Sequence, residues 1–133
     1  MVISNGKVIE IVKGMDSISN KSLPIKISWV IGKNYKKLQD IYKEYELARN
    51  KIIAKYARKS DDGQIQQNEN GGIILDDVAG FSVELNDLNR CENDIPIDLI
   101  KLEDILVLDE GKFDSLTPAE ISVMEFMIED RGE

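Results

Sequence analysis

The sequence predicts an α+β fold, mainly helical, in which one long helix is packed by shorter helices beside a small sheet based on a β-hairpin. Three observations lead there. After Pro24 nothing stops a helix before Ala57 except Gly32; Asp62-Gly63 and Asn70-Gly71-Gly72 bracket short apolar runs; and Thr117-Pro118-Ala119-Glu120 carries a helix-start signature. At 133 residues the chain reads as a single domain over 1–133 with one core.

The elements follow in order. Asn5-Gly6 after Val2 and Ile3 is a hairpin signal, but Val8, Ile11 or Val12, Met15 and Ile18 recur every three or four residues. With Ser4 or Asn5 as cap, the spacing predicts a helix over 7–18. Ser22-Leu23-Pro24 then opens the long helix, up to 34 residues to Ala57. Straight, it would span about 50 Å, against a radius of gyration of about 14 Å for a compact domain of this size. It should therefore project, unless it breaks near Gly32.

Ile31, Tyr35, Leu38, Tyr42, Tyr45, Arg49, Ile52 and Tyr56 are spaced alternately four and three apart, the seam of helix-on-helix packing. All four tyrosines of the chain fall on it. Tyrosine supplies apolar area while its hydroxyl reaches a wet edge, so the seam reads as a packing surface. Arg49 would need a carboxylate from elsewhere if buried. The other side of the helix carries Lys33, Lys36, Lys37, Lys43, Lys51 and Lys55.

Residues 59–75 read as a helix exit followed by a hairpin, without the spacing or closing Glu of an EF-hand calcium loop. Asp76-Asp77 can cap a helix bearing Val78, Phe81, Leu85 and Leu88. Ile95, Ile97 and Leu99 alternate around Pro96 as an edge strand that could join the hairpin sheet. Leu102 to Leu108 is apolar without a decisive period. The closing helix presents Ile121, Met124, Met127 and Ile128 on one face and is too short to stand alone, so it must dock, most economically on the tyrosine seam. No internal repeat stands out.

Composition narrows the chemistry. There is no histidine, which removes every mechanism that uses imidazole as acid, base or metal ligand. The single cysteine, Cys91, can form neither an internal disulfide nor a cysteine-rich zinc site, and reads as a small buried hydrophobe. The acidic pairs Asp76-Asp77, Glu103-Asp104 and Asp109-Glu110 sit where turns and helix starts favour acids anyway. Neither GGIIL nor GKNYKKL has the spacing of a phosphate loop. No catalytic residue, cofactor or metal site is read from these residues, and nothing argues for an enzyme.

The formal charge of −8 conceals a division: residues 1–60 carry a net +8 and residues 61–133 a net −16. This fits a basic face for nucleic acid, an acidic face for a basic partner, or two halves that compensate one another on folding. Acids interrupt the lysine stripe and the whole is acidic, so direct nucleic-acid binding is disfavoured. No run of about 18 apolar residues or secretory leader is present, which points to the cytoplasm and away from membranes.

The blocks LPIKISWVIGKNYKKL, YELARNKIIAKYA, FSVELNDL, IPIDLIKLEDI and LTPAEISVMEFMIED, with the intervening DG turn, resemble a family of small uncharacterised proteins encoded by bacteriophages and prophages of Gram-positive bacteria. The resemblance covers nearly the whole chain, departing at IQQNENGGIIL and LVLDEGKFDS. It implies a phage-encoded protein acting in the cytoplasm of the bacterial host, and it carries over no site residues. The expected function is that of a non-enzymatic interaction protein, in virion assembly or in modulating a host factor. Tyr42, Tyr45, Arg49, Ile52 and Tyr56 are its candidate contact residues toward a protein partner or a second copy. Two rivals are an acidic DNA mimic that inhibits a host DNA-binding protein and a small metal-dependent nuclease or nucleotide-handling enzyme.

Overall fold

A computed structural model describes residues 1–106 and 114–129. It is a mainly helical α+β structure: β1 (Val2–Ser4), α1 (Asn5–Ser19), α2 (Ile25–Tyr56), α3 (Val78–Arg90), β2 (Glu92–Asp94), β3 (Ile100–Lys101), α4 (Leu102–Leu106), α5 (Pro118–Met124), a 3-10 turn (Glu125–Met127) and β4 (Ile128–Glu129). Two compact units divide the chain, Met1–Tyr42 with Glu92–Glu133, and Lys43–Cys91.

The first unit holds a continuous apolar core. Val8, Ile11, Met15 and Ile18 of α1 line one face and are buried, as their spacing requires. Ser4 caps the helix, its Oγ accepting the Lys7 N–H at 3.2 Å. Asn5-Gly6 is thus the first turn of α1 and not a hairpin, because burying this apolar face outweighs the strand preference of valine and isoleucine.

The α2 helix begins with the Ile27 and Ser28 N–H groups on the Pro24 carbonyl and runs unbroken through Gly32. Its fully buried line in this unit is Ile27, Ile31, Asn34 and Leu38, while Tyr35 and Tyr42 lie half-buried at the margin. The seam is therefore turned toward Asn34, whose side-chain amide is wholly buried yet satisfied.

The expected docking of the last helix needs correction. α5 packs on α1, not on the tyrosine seam. Gly14 makes this approach possible, since a Cβ there would stand 2.5 Å from Val123 Cγ2. Met124 and Met127 are buried as predicted, but the helix tightens into the 3-10 turn at Glu125, and Ile121 faces outward.

The strand expected over 95–99 is absent. The Ile95 N–H bonds to the Met1 carbonyl, Lys37 Nζ donates to the Pro96 carbonyl, and Asn34 takes both backbone groups of Asp98, so no sheet ladder is needed there. Pairing occurs on either side instead. β1 and β2 are antiparallel with Ile3 opposite Asn93, and β3 and β4 are parallel with Ile100 opposite Ile128.

In the second unit, residues 57–75 close a small ring of three antiparallel bridges, Ala57 to Leu75, Lys59 to Ile65 and Gln67 to Ile73. Its centre is cyclic: the Arg58 N–H donates to the Ile74 carbonyl, Ile74 to Gln66, and Gln66 back to Arg58. Two turns of one design connect it. Gly63 and Gly71 take φ of 84° and 82°, and their N–H groups bond to the carbonyls of Ser60 and Asn68 at 2.9 and 3.0 Å. Equivalent positions lie eight residues apart, in SDDGQI at 60–65 and NENGGI at 68–73. An eight-residue repeat is therefore present where the sequence reading found none.

Asp77 caps α3 as expected, its Oδ1 accepting the Gly80 N–H at 3.0 Å. The α3 helix packs along the Lys43–Tyr56 part of α2 through Tyr45 and Asn89, Lys55 and Glu84, and Tyr56 and Phe81. Residues 107 and 108 of the Leu102 to Leu108 segment, the Asp109-Glu110 pair and most of LVLDEGKFDS lie outside the described residues.

Candidate interaction surface

The five contact residues read from the sequence divide between the units. Tyr42 is half-buried against the core of the first. In the second, Tyr45 is only 8% exposed, and its hydroxyl donates to Asn89 Oδ1 at 2.7 Å. Ile52 is half-buried. Tyr56 meets the Phe81 ring edge-on at 6.3 Å between centroids, with the Lys55 ammonium 5.3 Å from its own ring centre. Arg49 is exposed. The tyrosines thus face inward toward their own chain, and Arg49 turns to solvent because water solvates a guanidinium better than an apolar seam does.

The second unit leaves five large apolar side chains outside, among a mostly polar surface. Its buried hydrophobic residues are Tyr45 and Ala57, while Leu47, Val78 and Val83 are each at least 60% exposed and Ile65 and Ile73 about 40%. Ile65 and Ile73 occupy the same position in the two eight-residue turns. None of these five residues was singled out in the sequence for contact. The recurrence of Gly-x-Ile at 63–65 and 71–73 was the available signal for two of them.

Part of the charge of the two halves is paired inside the fold. Lys21 pairs with Glu120, Lys26 with Asp104, Lys33 and Lys37 with Asp98, Lys55 with Glu84, and Arg58 with Asp76, each joining the basic first 60 residues to the acidic remainder. The two nearby ammonium groups, Lys33 foremost, hold the Asp98 carboxyl below its usual range. Glu120 is the buried member of the set. The Thr117 N–H, Lys21 Nζ at 2.9 Å and Ser17 Oγ at 2.9 Å all favour its charged form, and its pKa falls to about 2 against the opposing effect of burial. The hydrogen bond from Tyr35 to Asp16, at 2.7 Å, raises the Tyr35 phenol above its ordinary value, aided by burial.

Three of the candidate acids, among the described residues, have partners within the chain. Arg58 holds Asp76, Asp77 caps α3, and Lys26 holds Asp104. Among the described residues no group of three or more Cys, Asp and Glu is placed to hold a metal ion. Cys91 is exposed and not buried, because it caps the C-terminus of α3 beyond that helix's packed face; its thiol lies 3.4 Å from the Asp87 carbonyl. The surface depressions are shallow. One of about 310 Å³ is lined by Leu102, Ile121, Ser122, Glu125 and Ile128, without a convergent polar set. No helix among the described residues is long and apolar enough to cross a membrane. Compared with known protein families, with curated proteins and with solved structures, the chain matches none.

Proposed function

We propose that this is a non-enzymatic interaction protein, phage-encoded as its resemblance implies, that acts through helix-mediated protein–protein contacts in virion assembly or in modulating a host factor. One observation carries the reading: Lys43–Cys91 buries Tyr45 and Ala57 but exposes Leu47, Ile65, Ile73, Val78 and Val83. Exposed apolar side chains in this number on a small helical unit are what partners cover, and charging them leaves the chain's own packing intact. Tyr45 and Tyr56 then hold the unit in shape, and the exposed Arg49 stands at the polar rim of the contact.

The test is co-purification with a tagged full-length chain expressed in a Gram-positive host. Leu47→Glu and Val83→Glu together should release a protein that the unchanged chain retains, at an unaltered thermal midpoint. If both chains retain the same proteins in the same amounts, the reading fails.

A further inference from the structure

Gly32 lies in the middle of an unbroken helix, and a Cβ at this position would meet nothing within 4 Å. Neither packing nor backbone conformation in its own chain calls for glycine, which costs a helix about 1 kcal/mol relative to alanine. Its neighbours on the same helical line are Ile25, Trp29 and Lys36, spaced four, three and four apart, with Asp40 one turn further. All are exposed, opposite the buried line of Ile27, Ile31, Asn34 and Leu38. Ile25 is 78% exposed and Trp29, the sole tryptophan, 67%.

We infer that the Ile25–Asp40 face of α2 binds the same face of a second copy of this chain, the two helices running antiparallel and crossing at Gly32. The chemistry of the face selects both the occupant and the direction. Parallel helices in register would set Lys36 against Lys36 and Asp40 against Asp40, a repulsive match. Antiparallel helices crossing at Gly32 set Trp29 against Lys36 of the second copy, a cation over an indole, and Asp40 beside Ile25 and Lys26 of the second copy. A two-fold axis makes each contact twice. The missing side chain at Gly32 lets the axes approach at the crossing, so the two tryptophans on either side become the buried anchors.

The inference rests on the proposed helix-mediated interaction role and adds to it a second contact surface, outside Lys43–Cys91, with one named partner. It is tested on the full chain by light scattering and acrylamide quenching of tryptophan fluorescence over one concentration series. The expected result is a rise in mass from 15.0 kDa toward twice that value, with quenching of Trp29 falling in step. Trp29→Ala and, separately, Asp40→Lys should each raise the dissociation constant on the order of tenfold or more. Trp29 is exposed, so both variants should keep the thermal midpoint of the dilute protein. Gly32→Ala should raise that midpoint and weaken association, two effects of opposite sign that a merely unoccupied helix face would not give. A constant mass of 15.0 kDa with unchanged quenching overturns the inference. A dimer whose Trp29 stays as accessible as in dilute solution also overturns it, while leaving the proposed function standing on another surface.

Discussion

Asn34 holds both backbone groups of Asp98: its Oδ1 accepts the Asp98 N–H at 2.9 Å and its Nδ2 donates to the Asp98 carbonyl at 2.8 Å. A core side chain here does what a neighbouring strand would otherwise do, and Lys33 and Lys37 hold the carboxylate of the same aspartate. Removing the amide leaves these part-buried backbone groups without their partner. Asn34→Ala should cost about 2 to 3 kcal/mol by urea unfolding. Asn34→Leu, which keeps the volume, should not recover it. Full recovery by leucine would mean that Asn34 acts as filler and not as a hydrogen-bonding clamp.

Glu120 gives stability a pH dependence. Its folded pKa of about 2 lies below the ordinary 4.5, so the native state favours the charged form. The contribution is therefore complete above about pH 4.5 and disappears as pH falls toward 2. Thermal midpoints measured across this window should fall less steeply for Glu120→Gln than for the unchanged chain. Identical slopes would remove Glu120 from the account of acid unfolding.

Two helical glycines should respond in opposite directions. Gly14→Ala forces a methyl against Val123, 2.5 Å from its Cγ2, and should destabilise by about 1 to 3 kcal/mol. Val123→Ala in the same chain should return part of the loss, as expected for two groups that share one space. Gly32→Ala meets open space and should stabilise the dilute protein by up to about 1 kcal/mol. Denaturant titration of the three variants checks all of this.

Tyr45 and Arg49 stand one helical turn apart with different fates. Tyr45→Ala should cost about 3 to 5 kcal/mol, as for a core aromatic. Tyr45→Phe should cost about 1 kcal/mol for the bond to Asn89. Arg49→Ala, at an exposed position, should change stability by no more than about 0.5 kcal/mol. A large loss for arginine with little for tyrosine would mean that the seam is oriented the other way.

The sequence by itself determined whatever depends on a few consecutive residues. The Ser4 and Asp77 caps, the capping box of Thr117 and Glu120 around Pro118, and the glycine turns at 63 and 71 are all visible in it, because each is settled by hydrogen bonds reaching two to four residues along the chain. The helical periods of α1 and α2 belong here too, as does the separation of basic and acidic halves that the ion pairs reconnect. Tertiary structure alone decided which face of α2 is innermost, that α5 rests on α1 at Gly14, that β3 runs parallel to β4, and that three short segments close a ring around Arg58, Gln66 and Ile74. These depend on competition among many apolar surfaces and on partners as remote as Asn34 and Asp98. A buried asparagine and an exposed tryptophan each run against their ordinary preference, and only the completed packing shows where that preference is overruled.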